Sequence, residues 1–388
     1  MKRWVVWGLA LLFGAGLVAM PSPVAADLKV GVSGYVKLDM QYSDKLMGSV
    51  PSPSPAGTPL DTSATADNSQ TIFDARQSRL RVTFSDEIMG IKTSGRIETD
   101  FFTGDGNARV SNSRHLRLRH AYARGDHPSG FFLLAGQTWS LSFNAAVAAP
   151  LIVDFNGPAG QMFARQPQLR AGWKGPMGGG NLILEAAVEK HSLNDLGSAS
   201  VSEAQGQAQD VPLFGGKISW HGSPVKFEAY GGIAKNTIIL ASGRDVDETA
   251  TLFQVSAETK FNPLTLYAHY QHIDGLQRLG NGDFTDAFLV GSDVRNVESN
   301  GFFVGAGLKA AKNTSLNAVF GWNDADECTA CGFTGTSLEE HQSIHVNVIQ
   351  KFWQRWQAGL EYRHFEVEAF NGDDGDVNIV HGAFWFFF

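Results

Sequence analysis

Apolar and polar residues alternate with a period of two over segments of about ten residues or more along most of the chain. In the first such segment, Val30, Val36 and Leu38 share one face, whereas Lys37 and Asp39 share the other. The same rhythm recurs up to the last residue, and no stretch has a convincing helical period. The pattern predicts an all-β protein made of two-faced strands.

Sixteen strands are predicted where this alternation holds. Their connections alternate between tight turns and long polar loops rich in Gly, Asn, Asp and Ser. This asymmetry is typical of antiparallel transmembrane β-barrels, which have short periplasmic turns and long extracellular loops. Closure would satisfy every strand edge, and an even strand count would bring both chain ends to the periplasmic side. The predicted strands are 28–42, 72–86, 90–103, 114–125, 131–140, 166–174, 180–190, 212–221, 224–236, 248–261, 264–274, 297–311, 314–324, 340–352, 355–369 and 375–388.

A soluble sandwich or solenoid is the alternative for such a pattern, because its two-faced strands have the same period. The C-terminus argues against a soluble protein. Phe384, Phe386 and Phe388 fall on one face of the last predicted strand, and a soluble protein would expose this aromatic cluster to water. In a barrel these rings can lie at the membrane interface.

The N-terminus has the features of a secretory signal peptide. Lys2 and Arg3 precede an apolar run, residues 4–20, and small residues follow up to Ala26. We therefore predict a signal peptide over residues 1–26 and a single barrel domain over residues 27–388, with retention of the run as an anchor as the alternative. The remaining residues contain no other run near the roughly 20 apolar residues that a spanning helix needs.

Charge excludes some partners. Without Lys2 and Arg3 the chain has 29 basic and 39 acidic residues, a net charge of −10, so general attraction to nucleic acid is not expected.

Arginines are concentrated in one part of this acidic chain. Nine of the seventeen fall between residues 76 and 124. By alternation, five of them point away from lipid and into the lumen on three consecutive strands. Such a wall would favour anionic solutes, because arginine stays charged and binds carboxylate or phosphate with two parallel hydrogen bonds. The five residues are Arg79, Arg81, Arg96, Arg117 and Arg119. The alternative is that Glu98, Asp100 and Asp39 neutralise them by pairing.

Two long loops have distinctive compositions. The loop at residues 140–165 contains an apolar stretch, residues 145–153. We predict that it folds inward, narrows the lumen and places Asp154 and Arg165 near the permeation path; contact with another subunit is the alternative. The first long loop contains Pro-Ser-Pro-Ser-Pro at residues 51–55, which predicts flexible exposed sequence.

Few residues suggest catalytic or metal chemistry. Cys328 and Cys331, the only cysteines, lie in a predicted exterior loop. A local disulfide is our first interpretation, with free thiols or adventitious metal as alternatives. The chain lacks Gly-x-Ser-x-Gly, His-Glu-x-x-His and P-loop motifs. We predict no enzymatic activity, no metal site and no cofactor.

The chain also resembles the DcaP-like family of trimeric outer-membrane porins. The similarity rests on five strings within roughly residues 30–170, while the second half matches mainly in pattern. The last strand, which ends in Phe388, is similar to the signal by which the barrel assembly machinery recognises outer-membrane proteins. The strings are Gly34-Tyr35-Val36-Lys37-Leu38-Asp39, Asp74-Ala75-Arg76-Gln77-Ser78-Arg79-Leu80, Leu118-Arg119-His120-Ala121-Tyr122, Ala135-Gly136-Gln137-Thr138-Trp139 and Arg165-Gln166-Pro167-Gln168-Leu169-Arg170.

The resemblance implies a homotrimer in the outer membrane, embedded in lipid, that passes small anions such as dicarboxylates. Basic lumenal residues near the constriction carry over to Arg79, Arg81, Arg117, Arg119 and Arg165. Some members have a helical extension before the barrel. Here the first predicted strand follows the predicted cleavage point almost directly, so we expect a trimer to rest on barrel contacts alone.

Three functions remain open at this point. The first is a passive channel for small anions. The second is a phosphate-selective or sugar-selective porin, which would bind its solute saturably; arginines suit phosphate, whereas a sugar path needs a line of aromatic side chains. The third is a barrel with hydrolase or adhesive activity.

Overall fold

The computed structural model describes residues 27–48, 52–103, 111–144, 146–147, 150–193, 209–240, 242–280, 284–329 and 334–388. Within these ranges, no helix has both the length and the apolar character needed to cross a membrane.

Sixteen antiparallel strands close into a barrel within the described residues, as the alternation predicts. The observed bounds lie within a few residues of the predicted ones. The strands are β1 (Lys29–Ser43), β2 in two segments (Gln70–Asp74 and Arg79–Ile88), β3 (Ile91–Asp100), β4 (Arg117–Asp126), β5 (Phe131–Trp139), β6 (Arg165–Met177), β7 (Gly180–Glu189), β8 (Leu213–His221), β9 (Val225–Ile239), β10 (Asp245–Phe261), β11 (Leu264–Asp274), β12 (Glu298–Ala311), β13 (Thr314–Ala325), β14 (Leu338–Phe352), β15 (Trp356–Ala369) and β16 (Asp374–Phe387).

The barrel closes between its first and last strands. β1 pairs with β16, where Tyr35 lies opposite Phe387, and its beginning pairs with β2, where Lys29 lies opposite Ser85. Each strand therefore has hydrogen-bonded neighbours on both sides, which is the condition for a sheet in lipid.

A short interruption divides β2. Residues 75–78 leave the ladder, and the Ser78 hydroxyl accepts a hydrogen bond from the Lys37 backbone N–H at 3.0 Å. The side chain thus replaces a missing backbone partner. The single strand predicted at residues 72–86 therefore consists of two segments, which together occupy the place of one strand in the barrel wall.

The two faces of the wall differ as predicted. On β1, Val36 is 57% exposed, whereas Lys37 and Asp39 are buried inside the barrel. On β16, Phe384 is exposed on the outside and Trp385 is buried inside. Since lipid replaces water around such a protein, the exposed apolar side chains form the lipid-facing surface.

The two ends of the barrel also differ. At the turn end, β2 and β3 are joined by residues 89–90, and β6 and β7 by residues 178–179. At the loop end, residues 140–164 join β5 to β6, and residues 275–297 join β11 to β12 through a 3-10 turn (Gln277–Leu279) and a hairpin (Ala287–Val290 and Asp293–Asn296).

An apolar core fills part of the lumen beside β7 to β11. Tyr230 and Leu252 point inward from the wall, and Leu141, Met162 and Leu279 from the loops pack against them. Each fully buried Leu or Met stabilises this packing by about 1.5–3 kcal/mol. The alternation rule predicts a polar lumen; this side departs from it because loops cover the wall and exclude water.

Candidate functional site

The loop at residues 140–164 lies inside the barrel and follows its inner wall. Asn144 Nδ2 donates to Ser256 Oγ at 3.1 Å, Asn347 Nδ2 donates to the Leu151 carbonyl at 2.8 Å, and the Ala159 backbone N–H donates to Ser343 Oγ at 2.9 Å. These contacts lie on β10 and β14, far from the strands that carry the loop in sequence. The inward fold predicted from the apolar composition is therefore what the described loop residues adopt.

Asp154 attaches this loop to the far side of the wall. Its carboxylate accepts from Arg363 Nη1 on β15 at 3.0 Å, from Gln77 Nε2 at 2.9 Å and from Ser52 Oγ at 2.7 Å. Asp154 is 3% exposed and Arg363 is fully buried. Asp154 was predicted to lie near the permeation path; instead it is an internal anchor of the loop, because its charge is needed to balance Arg363.

The anchor continues into a buried network on β1 and β16. Lys37 Nζ lies 2.7 Å from Asp39 Oδ1 and donates to the Val153 carbonyl at 3.0 Å. His381 Nε2 lies 2.8 Å from the same Asp39 oxygen. Asp39 therefore pairs with Lys37 and His381 and does not neutralise the arginines of β2 to β4.

Those arginines gather around two carboxylates on β3. Arg117 binds Asp100 through two parallel hydrogen bonds of 2.8 and 2.7 Å. Arg119 bridges Glu98 at 3.0 Å and Asp100 at 2.7 Å. The alternative prediction, that Glu98 and Asp100 pair with the arginines, is correct for this part of the cluster.

Arg81 and Arg79 complete the group around Glu98. Arg81 Nε donates to Glu98 Oε2 at 2.7 Å, and Arg79 Nη1 lies 3.8 Å from Glu98 Oε1. Arg81 remains one-third exposed, so its charge is still open to solvent. A carboxylate shared by three guanidinium groups cannot neutralise all of them.

Two further arginines have no ion pair within the described part of the chain. Arg96 shares the lumenal face of β3 with Glu98. Arg165 stacks over the rings of Trp139 and Phe163, with its guanidinium carbon 4.5 and 5.8 Å from their centroids. We call Arg79, Arg81, Arg96, Arg117, Arg119 and Arg165 the arginine cluster. Six cations against the two carboxylates of β3 leave it with a positive excess.

Aromatic side chains of the inward loop face the arginine cluster. The guanidinium carbons of Arg117 and Arg119 each lie 5.9 Å from the centroid of Phe155, which stacks on Phe163 at 5.8 Å. The face of an aromatic ring attracts a cation, most strongly where water is excluded. The loop therefore brings an apolar surface to the charged wall.

A bulge in β4 explains the position of the cluster. Glu98 lies opposite His120, but Thr99 lies opposite Leu118, so Arg119 is the extra residue. Arg119 and His120 are consequently both buried on the lumenal side. Arg117 lies before the bulge and Arg119 within it, and both have the lumenal orientation that the alternation predicts.

The first long loop corrects a prediction. Residues 52–58 include a 3-10 turn (Pro55–Gly57), and Ser52, Pro55 and Thr58 are buried. Pro-rich composition predicted flexible exposed sequence, yet described residues of this loop fill lumenal space and bind Asp154 through Ser52. Proline suits this role because its backbone loses little entropy on packing. Pro51 lies outside the described residues.

Only one of the two cysteines lies within the described residues. Cys328 packs against the buried cluster of Phe284, Val297 and Ala325, whereas Cys331 lies outside the described residues. The loop disulfide stays a prediction. Among the described residues, no group of three or more His, Cys, Asp or Glu side chains is arranged to hold a metal ion.

Sequence reasoning missed several residues of this site. Arg363 was missed because it lies outside the arginine-rich segment. The alternation on β15 could have indicated its position, since Arg363 shares a face with Glu361 and Phe365, and Leu360 and Tyr362 lie on the exposed face. Phe155 follows Asp154 in the loop and carried no periodic signal.

Comparisons with known proteins agree with this architecture. A family model described as Gram-negative porin matches residues 14–369. The channel DcaP of Acinetobacter baumannii superposes with a TM-score of 0.79 at 22% identity, covering 96% of this chain and 100% of that one. No match was found among curated proteins.

Two more distant porins share the fold. The anion-selective porin of Comamonas acidovorans has a TM-score of 0.59 at 12% identity, covering 93% of this chain and 100% of its own. The trimer form of OmpT from Vibrio cholerae has a TM-score of 0.59 at 11% identity, covering 93% and 99%. The similarity to DcaP-like porins and the outer-membrane location predicted from the sequence are confirmed. The chain belongs to the Gram-negative porin family.

Proposed function

We propose that this porin is a water-filled channel for the passive uptake of small anions, dicarboxylates in particular, narrowed by the loop at residues 140–164. The observation that carries the proposal is the positive excess of the arginine cluster where the inward loop meets the wall, with Arg117 and Arg119 in contact with Phe155. A solute that passes beside this contact meets the part of the cluster that stays open to solvent, such as Arg81, whose side chain is one-third exposed. Fixed cations in a narrow, partly dry passage raise the local concentration of anions.

The pairing within the cluster supports this role. Glu98 and Asp100 hold Arg117 and Arg119 in place without cancelling Arg96 and Arg165. A planar guanidinium that is already oriented loses little freedom when it binds a carboxylate. A dicarboxylate carries two charges and can contact two such groups in one passage.

We further propose that the working unit is a homotrimer joined through outer-wall contacts, since OmpT of Vibrio cholerae has a trimer form. Residues 1–26 would direct export and be removed in its course, and the C-terminal strand ending in Phe388 would be recognised by the barrel assembly machinery. The channel would act without cofactor and without enzymatic turnover.

The test is the reversal potential in a planar bilayer under a salt gradient. Replacing Arg117 and Arg119 together by alanine should weaken anion preference. Replacing Arg295 by alanine is the control and should leave anion preference unchanged, because Arg295 is an exposed loop residue 4.0 Å from Glu248. Because the double variant leaves buried Asp100 without either of its cations, Arg165→Gln is the second variant: it removes a cation without breaking an ion pair. Cation preference of the wild type would overturn the proposal.

A phosphate-selective pore is the second candidate, because oriented guanidinium groups also fit phosphate. Titrating phosphate and succinate against the chloride current separates the two. Saturable block by phosphate at concentrations where succinate has no effect would favour the phosphate pore, and the absence of conductance from folded protein would favour an enzymatic or adhesive barrel.

A further inference from the structure

An apolar groove crosses the lipid-facing side of the wall between β5 and β9, and its volume is about 760 Å³. Large exposed side chains such as Leu133 and Phe214 form its rim. Its floor consists of residues with a small side chain or none, all on the exposed face of their strands. We call these residues the groove floor: Ala171, Ala186, Gly216 and Gly231.

The groove floor lies at one level of the sheet. Ala171 is opposite Ala186, Ala186 is opposite Gly216, and Gly216 is opposite Gly231. The floor therefore spans four neighbouring strands, which is about 14 Å at the usual strand spacing. Because barrel strands are tilted by about 35–45°, a groove at right angles to them runs obliquely through the bilayer. A single extended hydrocarbon chain that enters from one leaflet can follow it.

The wall itself does not require glycine at the two deepest positions. A Cβ on Gly216 or Gly231 would meet no atom within 4 Å, and neither residue has a positive φ. Glycine weakens a strand because it has no side chain to pack, and inside a strand it often marks the close approach of another group. The groove is therefore space left for a group from outside this chain.

The groove lies within the apolar band of the barrel. On its turn-end side, Trp173 donates its indole N–H to the Ser129 carbonyl at 3.1 Å. Trp220 donates in the same way to the Met177 carbonyl at 2.9 Å. Such aromatic side chains are typical of the membrane interface. Gly216 lies four residues from Trp220 along β8, about 13 Å at the usual rise, so hydrocarbon chains surround the groove.

An exposed lysine lies above the groove at the loop end. The Lys190 backbone N–H donates to the Pro167 carbonyl at 2.9 Å, so the ladder continues to Lys190 and places it on the same face as Ala186. The two are four residues apart, about 13 Å along the strand. Lys190 has no ion pair with a described residue, whereas Lys235 on β9 pairs with Asp247 at 2.6 Å. Lys190 is thus the cation at this edge that is open to an anion.

We propose that the groove and Lys190 together bind one molecule of an acylated phosphoglycolipid, the lipopolysaccharide of the outer leaflet, with an acyl chain on the groove floor and a phosphate at Lys190. The loop end faces that leaflet, and a lysine near the headgroups attracts phosphate. Within the bilayer an acyl chain gains no hydrophobic free energy by leaving other chains, so van der Waals fit to the groove determines which chain binds. The proposal concerns the outer wall and is independent of the solute that the channel passes.

The experiment titrates the detergent-solubilised protein with purified lipopolysaccharide and counts bound lipid by native mass spectrometry. The same lipopolysaccharide with its phosphates removed, and phosphatidylglycerol, are titrated in parallel. Wild type should bind the intact glycolipid about fivefold more tightly than the dephosphorylated one, as expected for one lysine at the headgroup level. Equal affinity for phosphatidylglycerol and intact lipopolysaccharide would overturn the choice of ligand.

Variants separate the two parts of the site. Gly216→Leu with Gly231→Leu fills the groove floor without touching the protein, and it should weaken binding of both glycolipids by about tenfold. Ala268→Leu, on the exposed face of β11 and outside the groove, is the control and should bind as wild type does. Lys190→Gln should bind intact and dephosphorylated glycolipid equally, whereas Lys190→Arg should keep the preference for phosphate.

Two results would overturn the proposal. One is wild-type affinity in the variant with the filled groove. The other is loss of the oligomer in that variant while lipid binding stays unchanged, since a second copy of this chain would then be the occupant. The reversal potential should be the same in all these variants, because the groove and Lys190 lie outside the lumen. A failure of the lipid site is therefore distinguishable from a failure of the proposed channel function.

Discussion

The buried pair between Asp154 and Arg363 should hold the inward loop in place, and Arg363→Met tests this. The substitution keeps length but removes the charge, so Asp154 retains Ser52 and Gln77 as donors and loses its cation. Leaving one partner of a buried ion pair uncompensated costs about 3–5 kcal/mol. If the free energy that favours the attached loop over the detached loop falls by even 3 kcal/mol, the fraction of molecules with a detached loop rises by about a hundredfold.

Two assays measure the effect. In single-channel recordings, Arg363→Met should add current noise and visits to a level of higher conductance, because the loop leaves the lumen part of the time. Urea unfolding in lipid vesicles should give a free energy of unfolding lower by about 3 kcal/mol. Lys235→Met is the matched control: it also removes one positive charge and one ion pair, but Lys235 and Asp247 are about two-fifths exposed, where such pairs contribute up to about 1 kcal/mol.

The double variant Arg363→Met, Asp154→Asn isolates the pair from other effects. Removing the Asp154 carboxylate should restore part of the stability and reduce the current noise, since Glu361, 3.7 Å from Arg363 Nε in the wild type, is then the only partner of Arg363 among the described residues that still lacks its cation. Equal noise and equal unfolding free energies for Arg363→Met and Lys235→Met would refute the idea that this pair anchors the loop.

Three further changes probe the loop. Leu141→Ala, at a fully buried site, should lower the unfolding free energy by about 2–5 kcal/mol, whereas Leu133→Ala on the lipid-facing wall should cost less; equal urea midpoints would contradict the inner core. Gly160→Ala should raise conductance, because Gly160 has a positive φ of 75° and a Cβ would lie 2.8 Å from the Trp322 carbonyl oxygen; an unchanged conductance would argue against this close approach. Phe155→Ala should also raise unitary conductance but preserve anion preference, as measured by reversal potential.

Strand alternation predicts most of this fold because successive side chains of each strand face two different surroundings in turn, the apolar exterior and the polar lumen. The positions of all sixteen strands follow from that contrast, and the lumenal phase of Arg79, Arg81 and Arg117 follows with them. Where the contrast fails, prediction fails too. Leu252 points inward yet is apolar, because Leu141 and Leu279 cover it, and no local pattern states which loop will return to which strand.

The site was less predictable than the wall for the same reason. Arg117 and Asp100 are neighbours in the sheet, so their pairing could be anticipated from adjacent strands. Arg363 and Asp154 are 209 residues apart and meet only because the loop crosses the lumen. The composition of the Pro-rich first loop predicts an exposed segment. It contains no information about the hydrogen bond that Ser52 makes to Asp154 inside the barrel.

These contacts divide the charged residues of the lumen into two kinds. Lys37, Asp39, Asp154 and Arg363 satisfy one another on the side where the loop is attached, so they contribute geometry and little net field. The arginine cluster contacts Phe155 and has more guanidinium groups than the two carboxylates of β3 can balance, so this part of the wall keeps a positive excess. Under the proposed function this division is needed, because a cation that is fully paired as an anchor has little charge left to attract an anion.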